Sequence, residues 1–325
     1  MVPTLNAGEP LRACLESLRA QTFPDFEVIV VNNGQQPVPT EAGPPGVQVI
    51  ANPHNVGFGA AINQGMRASQ SEFVATLNDD ATAQPQWLEA LMSAITQRYE
   101  IGMCASKVLL PGSEGLDSAG MVLGADGSSR QRGHREPPGN YSRAEEVFFP
   151  SGSAALYRRD MLEETSGFDE SFFLYCEDTD LGLRARWGGW ECRFVPEAVV
   201  EHRYSASAGR ASALKAFYVE RNRLLVAAKT FPGAMLWRVP FVSCARYFWH
   251  AVNARRGRGA AGEFASGTGG IPQMFLIVVR AHASLLGQWR EIRAKRRAIR
   301  RRLTPKQFAR MAEGHRISAR RVAAL

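Results

Sequence analysis

Long apolar runs are missing from this chain of 325 residues. A bilayer-spanning helix needs roughly 20 apolar residues in succession. Residues 234–253 are apolar and aromatic, but Arg238, Pro240, Arg246 and His250 interrupt them, and the run 274–279 stops at Arg280. Neither is long enough. Cysteine is sparse too: Cys14, Cys104, Cys176, Cys192 and Cys244 are scattered with no CxxC pair. That excludes a zinc knuckle or a disulfide framework and fits a reducing cytosolic setting. Pro3, Asn6 and Glu9 break any N-terminal apolar stretch, so no signal peptide is expected. The glycines around Asn55–Val56–Gly57–Phe58–Gly59 do not spell GxGxxG, and no P-loop lysine follows them. There is no internal repeat.

Acidic residues are nearly absent from one region only. Residues 233–325 carry 3 Asp/Glu against 19 Lys/Arg, whereas residues 1–232 carry 28 against 20. The net charge of +8 therefore describes neither part. A mildly acidic globule precedes a strongly basic tail. With 45% hydrophobic and 22% charged residues the chain has the composition of a folded protein. Its length suits one large α/β domain plus an appendage.

The front alternates strands and helices. Leu11, Cys14, Leu15 and Leu18 keep helical spacing, and residues 27–31 form an apolar run ending at Asn32-Asn33-Gly34. Residues 47–50 read as a strand ending in Asn52-Pro53-His54-Asn55, residues 57–68 as a helix of small residues, and residues 73–77 as another strand. Pro85 then opens a helix bearing Trp87, Leu88, Leu91 and Ile95. This alternation predicts an α/β fold with a mostly parallel sheet flanked by helices. Ligands of such sheets sit beyond the carboxyl ends of the strands. Three polar clusters fall at such ends: Asn32-Asn33-Gly34, His54-Asn55 and Asn78-Asp79-Asp80. Residues 111–146, rich in Gly, Ser, Pro and charge, are expected to wander over the surface. Residues 147–157 bring an apolar run back around Ser151-Gly152-Ser153. A helix is expected to begin near Glu177, and strands at 192–195 and 198–200 lead to His202.

Each polar cluster has a bland reading and a chemical one. Asn78-Asp79-Asp80 is either a solvated helix-capping turn or a site where a divalent cation offsets adjacent carboxylates and bridges to phosphate oxygens. Glu177-Asp178-Thr179-Asp180 suits a helix N-terminus on dipole grounds alone. The apolar lead-in Phe172-Phe173-Leu174-Tyr175 could also desolvate one carboxylate and raise its basicity. A lone histidine such as His202 is more often structural than a ligand, although neutral imidazole readily completes a carboxylate metal site.

In order, these pieces resemble family 2 glycosyltransferases of the GT-A fold, especially the rhamnosyltransferase-like branch. The resemblance rests on Pro3-Thr4-Leu5-Asn6, Val30-Val31-Asn32-Asn33-Gly34, Asn52-Pro53-His54-Asn55-Val56-Gly57-Phe58 and Leu77-Asn78-Asp79-Asp80. It continues through Gly167-Phe168-Asp169-Glu170, Glu177-Asp178-Thr179-Asp180-Leu181, His202 and Glu220-Arg221-Asn222-Arg223. It covers about residues 1–232, implying a catalytic domain there with a nucleotide-sugar half at about 1–110 and an acceptor half at about 147–232.

The resemblance also implies roles. Pro3, Thr4, Asn6, Asn32, Asn55, Asn63, Asn78 and Asp79 would line the nucleotide-sugar pocket. Asp80 and His202 would hold Mg²⁺ or Mn²⁺. Asp178 would be the catalytic base of an inverting transfer, and Glu177 would help place the acceptor. The implied donor is a nucleoside-diphosphate sugar, with dTDP-rhamnose the first suggestion. The implied acceptor is a hydroxyl of a glycan or lipid-linked sugar in cell-envelope polysaccharide synthesis.

The sequence departs from the family pattern at three places. Asn78 stands where many members have Asp, Asn32 replaces the usual base-contacting Asp, and only Met1 and Val2 precede Pro3. These departures leave a second expectation, a non-catalytic nucleotide-sugar-binding homologue acting as a partner subunit. Residues 233–325, with eight basic residues among the thirteen from Arg290 to Arg302, predict a helical region lying on an anionic membrane surface. Its Trp- and Phe-bearing stretches favour lipid over nucleic acid. The expected location is cytoplasmic, peripheral on the inner face of the cytoplasmic membrane.

Overall fold

The structure is a computed structural model that describes residues 1–113, 115–203, 212–257, 259, 262–264 and 270–324. It divides into two compact units. The first comprises Met1–Met121, Gln131–Phe173 and Glu177–Ser207, and the second comprises Val122–Arg130, Leu174–Cys176 and Ala208–Leu325. The expected boundary at 232 thus falls inside the second unit, because the helix before it packs with the helices that follow.

The first unit opens with β1 (Val2–Thr4), α1 (Glu9–Arg19), β2 (Ile29–Asn32), β3 (Gln48–Ala51), α2 (Phe58–Ala68) and β4 (Phe73–Leu77). β1, β2 and β3 pair in parallel, with Thr4 beside Asn32 and Asn32 beside Ala51. The amino group of Met1 donates to the Ala75 carbonyl, and the Met1 carbonyl accepts from the Leu77 N–H, which is the ladder of a parallel pair. β4 therefore continues this parallel set. α1 forms because Pro10 stands in its first turn, Glu9 and Arg19 complement its dipole, and Leu11, Cys14, Leu15 and Leu18 bury one stripe.

Next come β5 (Ala81–Ala83), α3 (Trp87–Ile95), β6 (Ile101–Leu109) and β7 (Leu116–Ser118), then β8 (Met121–Gly124) and β9 (Ser129–Gln131), most of whose residues belong to the second unit, and β10 (Glu145–Val147) and β11 (Ala154–Arg158). Pro85 lies just ahead of α3 rather than inside it, in the turn that the Trp87 N–H closes onto Gln84. α4 (Arg159–Thr165), α5 (Glu177–Trp187) and β12 (Glu191–His202) complete the unit. The larger sheet runs β10-β12-β6-β11-β4, with β5 also on β12 and β7 also on β6. β12 is parallel to β6, but β11 is antiparallel to both of its neighbours, so this part of the sheet is mixed. Parallel pairing joins β1 to β4 and breaks where β11 enters between β4 and β6.

Two details differ from the sequence reading. The two expected strands at 192–195 and 198–200 are one strand, β12, whose register slips between Val195 and Val199. Pro196 cannot donate to a ladder, and a bulge accommodates it. The expected surface excursion at 111–146 is partly core. Leu116, Asp117, Ser118 and Ala119 are all buried, and β7 pairs with the end of β6.

The second unit holds α6 (Ala213–Thr230), α7 (Gly233–Leu236) and α8 (Val239–Arg255), followed by helices at Gly270–Leu286, Trp289–Ala298, Pro305–Gly314 and Ala319–Ala324. The Glu220-Arg221-Asn222-Arg223 motif lies on α6 and is buried. Arg223 and Arg246 both pair with Glu220 and Asp126, so two buried cations offset two buried anions. Asn222 donates to the carbonyls of Leu174 and Tyr175 at 2.7 and 2.8 Å. Among the described residues no helix is long and apolar enough to cross a membrane.

Candidate active site

The carboxyl ends of β1, β2 and β4 gather most of the residues suggested by the sequence. Thr4 is buried at the end of β1, and its hydroxyl donates to Asp79 at 2.6 Å. Burial pushes the Asp79 carboxyl up to about 6, against the hydrogen bond from Thr4. Pro3 is buried beside Val31, whereas Asn6 is exposed just beyond the strand. Gly34 brings the β2 loop against the β1 loop so closely that a Cβ there would lie 2.0 Å from the Leu5 carbonyl oxygen.

The asparagines in this region are largely occupied by the backbone. Asn32 accepts from the Gly34 N–H at 2.9 Å and donates to the Gln36 carbonyl at 2.8 Å. Asn55 accepts from the Gly57 N–H at 2.9 Å. Asn63 donates to the Phe168 carbonyl at 2.8 Å and accepts from the Phe168 N–H at 3.0 Å. It also donates to Glu170 at 3.0 Å. Asn63 is therefore a buried clamp on the Gly167–Glu170 stretch, and both protons of its amide are committed inside the protein.

Asn78, Asp80 and His202 converge. β5 pairs with the end of β12 so that Ala81 lies beside His202, and the Arg203 N–H donates to the Asp80 carbonyl. His202 Nε2 is 3.0 Å from Asp80 Oδ1 and 3.3 Å from the Asn78 amide. His202 Nδ1 is 3.0 Å from Asp117 Oδ2. Burial opposes charge on the ring, but hydrogen bonds and charge from Asp117 and Asp80 outweigh it and raise the imidazole to about 9. Burial would raise Asp117, yet His134 and His202 hold it below the ordinary carboxylate range.

The residues fit a divalent cation in one respect. Asp80 Oδ1 is buried, in ion-pair contact with the ring but with no aligned hydrogen-bond donor. Among the described residues no group of three or more His, Cys, Asp or Glu is arranged as a metal site. Asp80 and His202 would thus be joined by Asn78 or by ligand oxygens.

Glu177 and Asp178 open α5. Asp178 is half-buried; Oδ2 accepts from the Gly152 N–H at 3.1 Å and Oδ1 from the Thr179 N–H at 2.6 Å. Burial raises its carboxyl against these hydrogen bonds. Glu177 is buried with Oε2 unpartnered, and desolvation with the charge of Asp178 pushes it up to about 8. Asp180, by contrast, is fully buried against Arg184 one turn along and is structural.

The turn Ser151-Gly152-Ser153 connects these two groups. The Gly152 carbonyl accepts from the Thr76 hydroxyl at 2.9 Å, and the Ser153 carbonyl accepts from the Asn78 N–H at 2.8 Å. One three-residue turn thus holds the end of β4 and also donates to Asp178. Neither Gly152 nor Asp117 stands among the residues expected at the site. For Gly152 the small-residue run was visible; for Asp117 only the pairing of β7 with β6 reveals its place.

The sequence matches glycosyl transferase family 2 over residues 1–166 and glycosyl transferase family group 2 over residues 133–279. The chain belongs to glycosyl transferase family 2. It has the GT-A fold, and its second match runs beyond residue 232 into the basic helices.

Among relatives, it is 27% identical to the N-acetylglucosaminyl-diphospho-decaprenol L-rhamnosyltransferase of Mycobacterium tuberculosis, over 73% of this chain and 85% of that protein. It is 30% identical to the pre-mycofactocin glycosyltransferase of the same organism, over 67% of this chain and 45% of the relative. The O-antigen biosynthesis protein RfbC of Myxococcus xanthus is 30% identical over 64% of this chain, which spans only 17% of that longer protein.

Two solved structures share the fold. GalNAc-T7 with UDP, GalNAc and Mn²⁺ gives a TM-score of 0.60 at 14% identity, covering 75% of this chain and 49% of that one. The Pyrobaculum calidifontis mannosyltransferase with GDP-Man and Mn²⁺ gives 0.51 at 14% identity, covering 92% and 83%.

Proposed function

We propose that this glycosyltransferase moves a sugar from a nucleoside-diphosphate donor to an acceptor hydroxyl with inversion, using Asp178 as general base. The observation that carries this reading is the shared turn: Gly152 donates to Asp178 while Ser153 holds Asn78, so base and diphosphate side are built on one rigid element. Asp178 is fixed by two backbone donors and made more basic by burial. It takes the acceptor hydroxyl proton as that oxygen attacks the anomeric carbon. The bond from that carbon to the diphosphate breaks, and the nucleoside diphosphate leaves with the electron pair. With no enzyme nucleophile in the sequence of events, a single displacement inverts the anomeric centre.

Asp80 and His202 would hold Mg²⁺ or Mn²⁺ beside Asn78, and the bound ion would neutralise charge on the departing diphosphate. Pro3, Thr4, Asn6, Asn32, Asn55 and Asp79 frame the nucleotide end, where Asn32 and Asn55 act mainly by shaping their turns. Glu177 places the acceptor. The likeness to the mycobacterial rhamnosyltransferase supports L-rhamnose as the first donor to test and a lipid-linked diphospho-sugar as acceptor. That to the Myxococcus protein supports envelope polysaccharide as the context.

The second unit serves membrane attachment in this reading. Trp237, Phe241, Phe248, Phe275, Leu286 and Trp289 are exposed, and the Trp289–Ala298 helix adds a basic stretch. Exposed aromatics beside arginines suit an anionic lipid surface, which supports a peripheral position on the inner face of the cytoplasmic membrane.

Release of free nucleoside diphosphate from dTDP-rhamnose and from a panel of UDP- and GDP-sugars, with Mg²⁺ or Mn²⁺, tests the reaction. Turnover of one donor is expected with a polyprenyl-diphosphate-sugar acceptor, and no release from any donor would overturn the reading. Flotation with anionic liposomes tests attachment, and recovery of the full chain in the soluble fraction would exclude it.

A further inference from the structure

Asp117 stands outside the residues that sequence or family pattern brought forward, yet it is the most fixed group near the site. It is 2% exposed on β7. β7 is pinned on one side by pairing of Leu116 and Ser118 with β6, and on the other by bonds from Leu116 to Arg135 and Glu136 and from Ala119 to Arg132. Its two carboxylate oxygens face two histidines: Oδ2 lies 3.0 Å from His202 Nδ1, and Oδ1 lies 3.3 Å from His134 Nδ1. A buried carboxylate is costly unless charged or polar partners satisfy it; here His202 satisfies Oδ2, while Oδ1 has ion-pair contact alone with His134, whose Nδ1 lies 3.2 Å from the Asp117 backbone carbonyl.

We propose that Asp117 is a positioning residue that sets His202 for cation binding. This rests on the reading of Asp80 and His202 as the metal side of the site. A carboxylate on Nδ1 keeps one proton of the imidazole there, so that a cation replacing the proton on Nε2 would meet a lone pair of fixed direction. His202 Nε2 is the atom directed at Asp80, at 3.0 Å. Pairing of Ala81 with His202 fixes the backbone of both residues, so the remaining freedom is rotation of the ring, and Asp117 removes it. The carboxylate also makes the ring a stronger donor to a cation. Loss of such a partner typically weakens metal affinity about 10–100-fold.

A purely structural Asp117 would show itself differently, in the melting temperature alone. The test is Mn²⁺ binding to the full chain, alone and with UDP, GDP or dTDP, followed by the electron paramagnetic resonance of free Mn²⁺. Asp117→Asn should weaken binding by about 10–100-fold in the folded protein, and pulsed spectra should lose the nitrogen modulation of a bound imidazole. Asp117→Glu, which keeps the carboxylate, should recover part of the affinity, and it carries the test alone if the Asn variant fails to fold. His202→Ala separates the two levels of inference. If His202→Ala weakens Mn²⁺ binding and neither Asp117 variant does, the positioning role is wrong. If His202→Ala and Asp80→Asn both leave Mn²⁺ binding unchanged, the metal assignment beneath it is wrong as well.

Discussion

The backbone N–H of Gly152 donates to Asp178 Oδ2 at 3.1 Å, while the carbonyl of the same glycine accepts from the Thr76 hydroxyl at 2.9 Å. A Cβ on Gly152 would sit 3.3 Å from the Phe58 ring and 3.4 Å from Asp178 Cβ. The carboxylate is thus seated on a backbone that is itself tied to β4. A base held by the main chain does not depend on the rotamers of its neighbours.

Replacing Asp178 by Asn isolates the proton transfer. The amide keeps the shape and can still accept from Gly152 and Thr179, so donor binding should be nearly unchanged. A general base typically contributes about 10²–10⁴-fold, and turnover should fall by that range. Initial rates of nucleoside diphosphate release, with donor affinity measured by calorimetry, check it. A variant that keeps most of its turnover removes Asp178 from the base role.

Asp178 and the neighbouring Glu177 make opposite contributions to pH dependence. Burial and the charge of Asp178 push Glu177 up to about 8, so near neutrality it carries a proton. Activity requires an ionised base and therefore rises with pH, with a limb above the ordinary carboxylate range because burial raises Asp178. While Glu177 stays protonated it adds no charge beside Asp178, so Glu177→Gln should leave this limb in place. The stability effect has the opposite direction. A carboxyl raised from 4.5 to about 8 on folding contributes stability that is fully present below 4.5 and is lost as pH rises through about 8. Melting temperatures across this window should fall less steeply in Glu177→Gln than in the parent. A kinetic limb that moves to lower pH after the substitution would show that Glu177 is ionised where Asp178 titrates.

Much of the scaffold was legible because the period of its apolar residues is undisturbed. Leu11, Cys14, Leu15 and Leu18 announce α1, and the run from Phe73 to Leu77 is β4 without adjustment. Asp80, His202, Glu177 and Asp178 were legible because each stands at a strand end or helix start. Asp117 was not. It lies in a stretch whose Gly, Ser and Pro content reads as loop, and its burial comes from pairing with a strand that precedes it in sequence. The structural part of Asn63 was hidden for the converse reason: a polar residue in a motif interval shows nothing of its partners at Phe168 and Glu170. Local pattern shows which residues are present at an end, and only long-range contacts show which polar atoms are already satisfied.

Gly57 supplies a backbone test of the same site. It has φ of 89°, and a Cβ there would lie 2.4 Å from the Phe173 carbonyl oxygen, which accepts from the Phe58 N–H at 3.0 Å. Gly57→Ala meets both a left-handed conformation and a clash, each worth about 1–3 kcal/mol at such positions. The expected outcome is a lower melting temperature, with about 2–4 °C lost per kcal/mol in a domain of this size. Turnover should fall as well, because the Phe173 backbone leads toward Glu177. An alanine variant with parental stability would mean that the loop relaxes freely and does not clamp the lead-in.

Asn63 separates the structural reading from the one suggested by its motif. Its amide bridges α2 to the Gly167–Glu170 stretch through Phe168 N–H, Phe168 C=O and Glu170. Asn63→Ala strands buried backbone groups of Phe168, for which the cost is about 1–3 kcal/mol per unsatisfied group. Stability should therefore drop measurably, by chemical denaturation at constant m-value. Donor affinity in the folded variant should remain near the parental value, since no free polar atom of Asn63 faces a ligand. A ligand-contacting role predicts the reverse pattern: affinity lost by roughly tenfold for a hydrogen bond of about 1.4 kcal/mol, with the denaturation midpoint unmoved. Measuring both quantities on one preparation decides between clamp and contact, because the two roles change different observables.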